Sequence, residues 1–184
     1  MNLSTKYLGL TLKNPIIVGA SNLVTDLDML KKLEAAGASA IVYKSLFEEQ
    51  IQLENLEMHQ NLTEYNERNA EMVSLFPESA YEVGPEEFLM KFTEARKALS
   101  IPLIASLNAV YDETWYTYAK KLEEAGADAL EINFYAVPLD FDVDGRGILN
   151  EELDVIEGIK KAVSIPVSVK LSPYYTNQLY TISE

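Results

Sequence analysis

Apolar residues follow two alternating rhythms along this chain. Short runs dense in Val, Ile, Leu and Ala occupy 15–20, 38–44, 102–107, 128–133 and 166–171, each of strand length. Between them, over 26–36, 85–98, 112–125 and 150–163, apolar positions recur every three or four residues, the period of an amphipathic helix. The strand-length runs are nearly continuous rather than alternating with polar residues. A strand of that kind is covered on both faces, so the pattern predicts a parallel sheet flanked by helices. Ahead of the first run, LSTKYLGLTLKNP predicts a small hairpin with Gly9 at its turn.

The pattern also repeats. LKKLEAAGASAIVYK (30–44) and AKKLEEAGADALEIN (119–133) nearly match, as do KALSIPLIASLN (97–108) and KAVSIPVSVKLS (161–172). In the first pair a helix ends on Gly37 or Gly126, a residue that adopts a left-handed backbone at little cost, and a strand follows. In the second pair a helix runs into Ser-Ile-Pro. Proline suits the first residue of a strand, where its missing N–H is not yet needed. Asp26, Asp112 and Asn150 stand near helix starts as candidate caps. Residues 46–80 interrupt the alternation with a segment of helical composition that holds the single histidine, His59. An insertion of that length is more often functional than idle, although a lone histidine in a polar segment is ordinarily a solvated one.

Two architectures suit parallel strands alternating with helices, an open doubly wound sheet and a (β/α)8 barrel. The first strand continues as NPIIVGASNL, without the G-x-G-x-x-G of a dinucleotide-binding sheet, and no phosphate-binding G-x-x-x-x-G-K-[ST] occurs. Polar residues instead gather where the strands end: Ser21 and Asn22, Lys44 and Ser45, Asn108, Asn133, Lys170 and Ser172. In a barrel those ends converge on one mouth, where such enzymes place their sites. The barrel is the better fit.

Composition narrows the function classes. The 184 residues are 48% hydrophobic and 24% charged, which suits a single globular domain over 1–184. No apolar run approaches the ~20 residues of a membrane span, and the N-terminus lacks a basic start with an apolar core, so the expectation is a cytoplasmic protein. The absence of cysteine removes disulfides, thiolate metal sites and cysteine nucleophiles. A net charge of −14 argues against nucleic-acid and membrane partners, both of which need clustered Lys and Arg. One motif competes: DFDVDGRGILNE (140–151) matches the calcium-loop spacing, with Asp140, Asp142, Asp144 and Glu151 as ligands and Gly145 at the turn. A strand rather than a helix precedes it.

Taken in order, LSTKYLGLTLKNPIIVGAS, YKS (43–45), SLN (106–108), EIN (131–133) and VKLSPYYTN (169–177) resemble the FMN-dependent dihydroorotate dehydrogenases over nearly the whole chain. The resemblance implies a (β/α)8 barrel of the TIM type with FMN at its mouth. It also implies an FMN-dependent dehydrogenase of pyrimidine biosynthesis, oxidising dihydroorotate or a related small substrate. Carried over by position, Ala20 and Ser21 would lie against the flavin, and Lys44 and Ser45 would flank the ring and the substrate. Lys44 would have the catalytic, substrate-orienting role. Asn108 and Asn133 would hydrogen-bond flavin or substrate, and Lys170 would stand near the ring nitrogen that becomes negative on reduction. Planar amides suit a ring edge that alternates N–H and C=O.

The sequence departs from that family in two places. The family's proton-abstracting serine or cysteine aligns with Ala136, which has no titratable group, and a second family amide aligns with Pro138. Only five strands are read, so the expected fold is the N-terminal five βα strands of the barrel with its hairpin, and open strand edges make a homo-oligomer the expected state. Two alternatives stand beside the enzyme: a non-catalytic flavin-binding or oligomer-forming relative, and a calcium-binding α/β module.

Overall fold

The computed structural model describes residues 2–48, 51, 84–110, 112–134 and 142–184. Strands β1 (Thr5–Tyr7) and β2 (Leu10–Leu12) form the antiparallel hairpin, with Gly9 at φ 76° in its turn. There follow β3 (Ile17–Val18), a 3-10 turn (Asn22–Val24), α1 (Leu27–Ala35), β4 (Ala40–Val42) and β5 (Leu46–Phe47). After the undescribed stretch come α2 (Pro85–Ala98), β6 (Leu103–Asn108), α3 (Asp112–Glu124), β7 (Ala129–Asn133), α4 (Gly145–Ala162), β8 (Val167–Lys170) and α5 (Gln178–Ser183).

The expected five-strand portion of a barrel is not what the sheet shows. Among the described residues six strands pair in parallel, in the order β3-β4-β6-β7-β8, with β5 added beside β6 off that path. The described sheet is open, with β3 and β8 at its edges. The extra strand is two residues long, too short to carry a periodicity that a sequence reading can detect. It forms because Leu46 is fully buried and pairs with Leu107.

Two sets of contacts hold the sheet. Leu103, Ala105, Leu107, Leu130 and Ile132 face the helices in a core with Phe88, Phe92, Trp115 and Ile159. Tyr43 meets Phe88 and Phe92 edge-on at 5.5 and 5.3 Å between ring centres. The alternate positions form a second, smaller cluster, in which Ala40, Val42, Ile104 and Ala129 are covered by Leu12 of the hairpin. Val42 lies opposite Ile104, and Ile104 opposite Ala129. Two residues further along, the same face carries Ser106, Glu131 and Ser168 side by side. Side chains alternate along a strand, so this face changes from apolar, under the hairpin, to polar at the carboxyl ends of the strands.

The sequence repeats have a structural counterpart. Gly37 (φ 112°) and Gly126 (φ 97°) end α1 and α3 in the same way. In each case the next residue donates its N–H back into the helix, Ala38 to Leu33 and Ala127 to Leu122, both at 3.1 Å. Glu34 Oε1 accepts from Ser100 N (2.9 Å), Ser100 Oγ (2.6 Å) and Ile101 N (3.1 Å). Glu123 Oε1 accepts from Ser164 N (2.8 Å), Ser164 Oγ (2.6 Å) and Ile165 N (3.2 Å). In both repeats a helix carboxylate therefore fastens the turn that opens the neighbouring strand. Asp26 caps α1, accepting from Met29 N at 2.8 Å. Asp112 lies within the first turn of α3 rather than ahead of it. The cap of α4 is Asp144 rather than Asn150, so that helix begins five residues earlier than its periodicity suggests.

Candidate functional site

The polar strand ends contain a short chain of hydrogen bonds across three neighbouring segments. Ser45, which follows β4, is half-buried, and its Oγ lies 2.7 Å from Ser106 Oγ on β6. Asn133, the last residue of β7, donates from Nδ2 to Ser106 Oγ and to Leu107 O, each at 3.0 Å. Ser106 is fully buried and Asn133 is 3% exposed. Buried polar groups persist only when they are paired, and the sequence meets that demand here within one row of strand ends.

The predicted residues fall unevenly around this network. Asn133 pairs in register with Lys170, the last residue of β8, whose ammonium lies 3.2 Å from Glu131 on the same face of β7. Asn108 ends β6, half-buried and opposite Phe47 of β5. Lys44 follows β4 one residue before Ser45 and is half-buried. Ala20 packs against the apolar cluster under the hairpin. Ser21 is exposed and begins the 3-10 turn, accepting from Val24 N at 3.3 Å through its backbone oxygen. Ala20 and Ser21 follow β3, which β4 and β6 separate from β7. The structure thus brings Ser45 and Asn133 together through Ser106, sets Lys170 beside Asn133, and leaves Ala20 and Ser21 toward one edge. Ala136, Pro138 and His59 lie outside the described residues.

Three residues that the sequence reading passed over help build the site. Ser106 and Glu131 share the parity of Asn108 and Asn133 along their strands, and that alternation was the available signal. Glu48 gave none. Its carboxylate is 3% exposed and accepts from Val110 N and Thr114 Oγ1, both at 3.0 Å, which anchors the segment after β6.

The calcium motif resolves differently. Asp144 Oδ1 accepts from Gly147 N at 2.6 Å as a helix cap, and the residues from Gly145 onward are helical. The stretch that should loop around an ion is therefore the first turns of α4. Asp140 is outside the described residues, and no group of three potential metal ligands occurs among those described. Beside β8, a cavity of about 550 Å³ opens between the start of α4 and residues 172–181, lined by Arg146, Ser172, Tyr174, Tyr175 and Tyr180 among others and by none of the residues expected to hold the flavin. Tyr175 donates to Glu152 Oε1 at 2.7 Å. Burial pushes the Glu152 carboxyl up from its ordinary value, the Tyr175 bond opposing this in part, and Glu152 Oε2 is buried with no partner among the described residues. Burial and the adjacent Glu152 raise Tyr175 as well.

The fold and strand-end site define a parallel α/β sheet with a polar row at the carboxyl ends of its strands, where proteins of this architecture bind small ligands. The chain is 30% identical over 181 residues to the catalytic subunit of dihydroorotate dehydrogenase B (NAD(+)) from Thermoplasma volcanium, covering 96% of this chain and 56% of that protein. It is 32% identical over 187 residues to the protein of the same name from Methanocella arvoryzae, with the same two coverages. The resemblance to dihydroorotate dehydrogenases read from the sequence is borne out, over a chain that spans about half the length of these curated relatives. No family model matches.

Solved structures speak to the fold alone. A phosphonopyruvate hydrolase is similar at a TM-score of 0.52 and 16% identity, over 92% of this chain and 53% of its own. A dihydrodipicolinate synthase from Bacillus anthracis is similar at 0.50 and 14%, over 84% and 44%. These neighbours are barrels of the aldolase type. With the open six-stranded sheet, they correct the expectation of the first five units of a flavin barrel. Among the described residues no helix is long and apolar enough to cross a membrane.

Proposed function

We propose that the polar strand ends form part of a flavin mononucleotide site of the dihydroorotate dehydrogenase type. The observation that carries this reading is the Ser45–Ser106–Asn133 network beside Lys170, and the relatives' name, a dehydrogenase, supports it. The residues suit the group. Amide and hydroxyl functions at Asn108, Asn133 and Ser45 match a ring edge of alternating carbonyl and N–H groups. Lys170 provides a cation, and its partner Glu131, with a side chain 17% exposed, holds that cation over the strand ends. Bound there, FMN supplies the hydride acceptor. Lys44, two residues beyond the end of β4, would orient a small anionic substrate such as dihydroorotate, and Lys170 would offset negative charge that develops on the ring.

The proton acceptor is the weak point of full turnover, because Ala136 offers none. That observation favours a second reading, a relative that binds flavin without oxidising dihydroorotate. Titration of the chain with FMN, followed by quenching of flavin fluorescence, tests binding. Saturable one-to-one binding that weakens at least tenfold in Asn133→Ala supports the site, and no binding by folded protein overturns it. Bleaching of the bound flavin on addition of dihydroorotate then separates the enzyme from the binding relative.

A further inference from the structure

Atom assignment in the Ser45–Ser106–Asn133 network can be settled from its partners. Leu107 O is a backbone carbonyl and only accepts, so the Asn133 atom 3.0 Å from it is the nitrogen. The second amide proton goes to Ser106 Oγ, also at 3.0 Å. Both donors of Asn133 are thus committed inside the protein, and its carbonyl oxygen is the one amide atom left to serve a ligand.

The two serines can be ordered in the same way. Their Oγ atoms are 2.7 Å apart, and by distance alone either could donate. Ser106 is fully buried and already accepts from Asn133. If Ser45 donated to it, the Ser106 proton would be buried with no acceptor among the described residues, a costly arrangement. Ser106 therefore donates to Ser45. The Ser45 hydroxyl accepts that bond and keeps its own proton for a ligand, as a half-buried residue is able to do. Polarity runs in one direction, from the Asn133 amide through Ser106 to Ser45. It leaves an acceptor at Asn133 and a donor at Ser45, each within one hydrogen bond of the same oxygen.

We propose that Ser106 is a positioning residue that fixes Asn133 as a hydrogen-bond acceptor and Ser45 as a donor, so that the strand ends recognise an N–H beside a C=O, the edge of a cyclic imide. This rests on the ligand-site reading above and adds to it a polarity set by a residue that touches no ligand. The imide edge is common to the pyrimidine portion of a flavin and to dihydroorotate, so both serve as probes.

The test compares wild type, Ser106→Ala and Asn133→Ala for binding of FMN, of FMN methylated at the imide nitrogen, and of dihydroorotate. Flavin fluorescence and calorimetry give the affinities, and circular dichroism confirms folding. Side-chain amide hydrogen exchange of Asn133, followed by NMR without ligand, supplies a readout independent of binding. Wild type is expected to prefer FMN over its methylated form at least tenfold, and Ser106→Ala to reduce that preference to about threefold or less while speeding exchange of the Asn133 amide at least tenfold. If Ser106→Ala keeps both the preference and slow exchange while Asn133→Ala loses the preference, the role of Ser106 is overturned and the flavin reading stands. Binding of dihydroorotate without FMN, with the same sensitivity to Ser106→Ala, keeps the imide proposal and overturns the flavin reading. Failure of folded wild type to bind any of the three overturns both.

Discussion

Replacing Glu123 with alanine removes one carboxylate oxygen that three donors share: Ser164 N at 2.8 Å, Ser164 Oγ at 2.6 Å and Ile165 N at 3.2 Å. A buried hydrogen bond to a charged acceptor contributes about 1.5–3 kcal/mol. Glu123 is only half-buried, and the donors it leaves behind can turn to water. Solvent screening brings each bond to roughly 0.5–1 kcal/mol, and the substitution to about 2 kcal/mol. For a chain of this size that lowers Tm by about 4–8 °C. Glu123→Gln keeps one acceptor oxygen and loses the charge, so roughly half the cost is expected.

The charge also gives the latch a pH dependence. The Ser164 side-chain hydrogen bond, followed by the backbone N–H bonds, holds the Glu123 carboxyl below its ordinary value of 4.5. A lowered folded value means that the unfolded chain binds the proton more readily. The stabilisation is complete above about pH 4.5 and is lost as the pH falls through the lower folded value. Urea unfolding followed by fluorescence of Trp115, which is 2% exposed, reports the loss at pH 7 and at pH 3. The gap between wild type and Glu123→Ala should narrow at pH 3. Glu34, bonded to Ser100 and Ile101 and shifted in the same direction mainly by the Ser100 hydroxyl, is the built-in replicate. The two latches share no partner, so the double substitution should add. A cost below 0.5 kcal/mol at pH 7, a threshold set by ordinary surface substitutions, or a gap that does not change with pH would refute the reasoning.

Two further outcomes follow from the core and from the buried acid. Phe92→Ala deletes a fully buried ring wedged against Tyr43 and should destabilise by about 3–5 kcal/mol in the same urea assay; a cost under about 1 kcal/mol would mean that the aromatic cluster is loosely packed. Glu152→Gln acts in the opposite pH sense to the latches. Because burial raises the folded value of Glu152, ionisation penalises the fold as the pH rises above the unfolded value of 4.5. The glutamine variant should therefore gain in Tm relative to wild type at pH 7, and the gain should shrink at pH 4; a constant difference across that range would exclude the carboxyl as its source.

Much of the scaffold was legible because it rests on local rules. Gly37 and Gly126 announced their helix ends because a left-handed residue is needed there, and both adopt it. The strand runs at 102–107 and 128–133 became β6 and β7 to within a residue because near-continuous apolar runs must be buried on both faces. Asp144 entered the competing calcium reading because it falls at the fifth position of that spacing, and only the structure shows its carboxylate capping a helix. Strand β5 was invisible: two residues have no period, and only burial of Leu46 against β6 creates it.

The candidate site divides along the same line. Polar residues at strand ends were visible as types in a pattern, which was enough to single out Ser45, Asn133 and Lys170. Sequence alone could not say that Ser45 and Asn133 share one buried oxygen, or that Glu131 stands within 3.2 Å of the Lys170 ammonium. Those pairings join segments separated by 27 to 61 residues. The strand register decides them, since it fixes which side chains stand opposite one another. A chain specifies where strands begin from the residues within them. Which hydroxyl meets which amide is set only when the strands lie side by side and burial leaves their polar atoms no other partners.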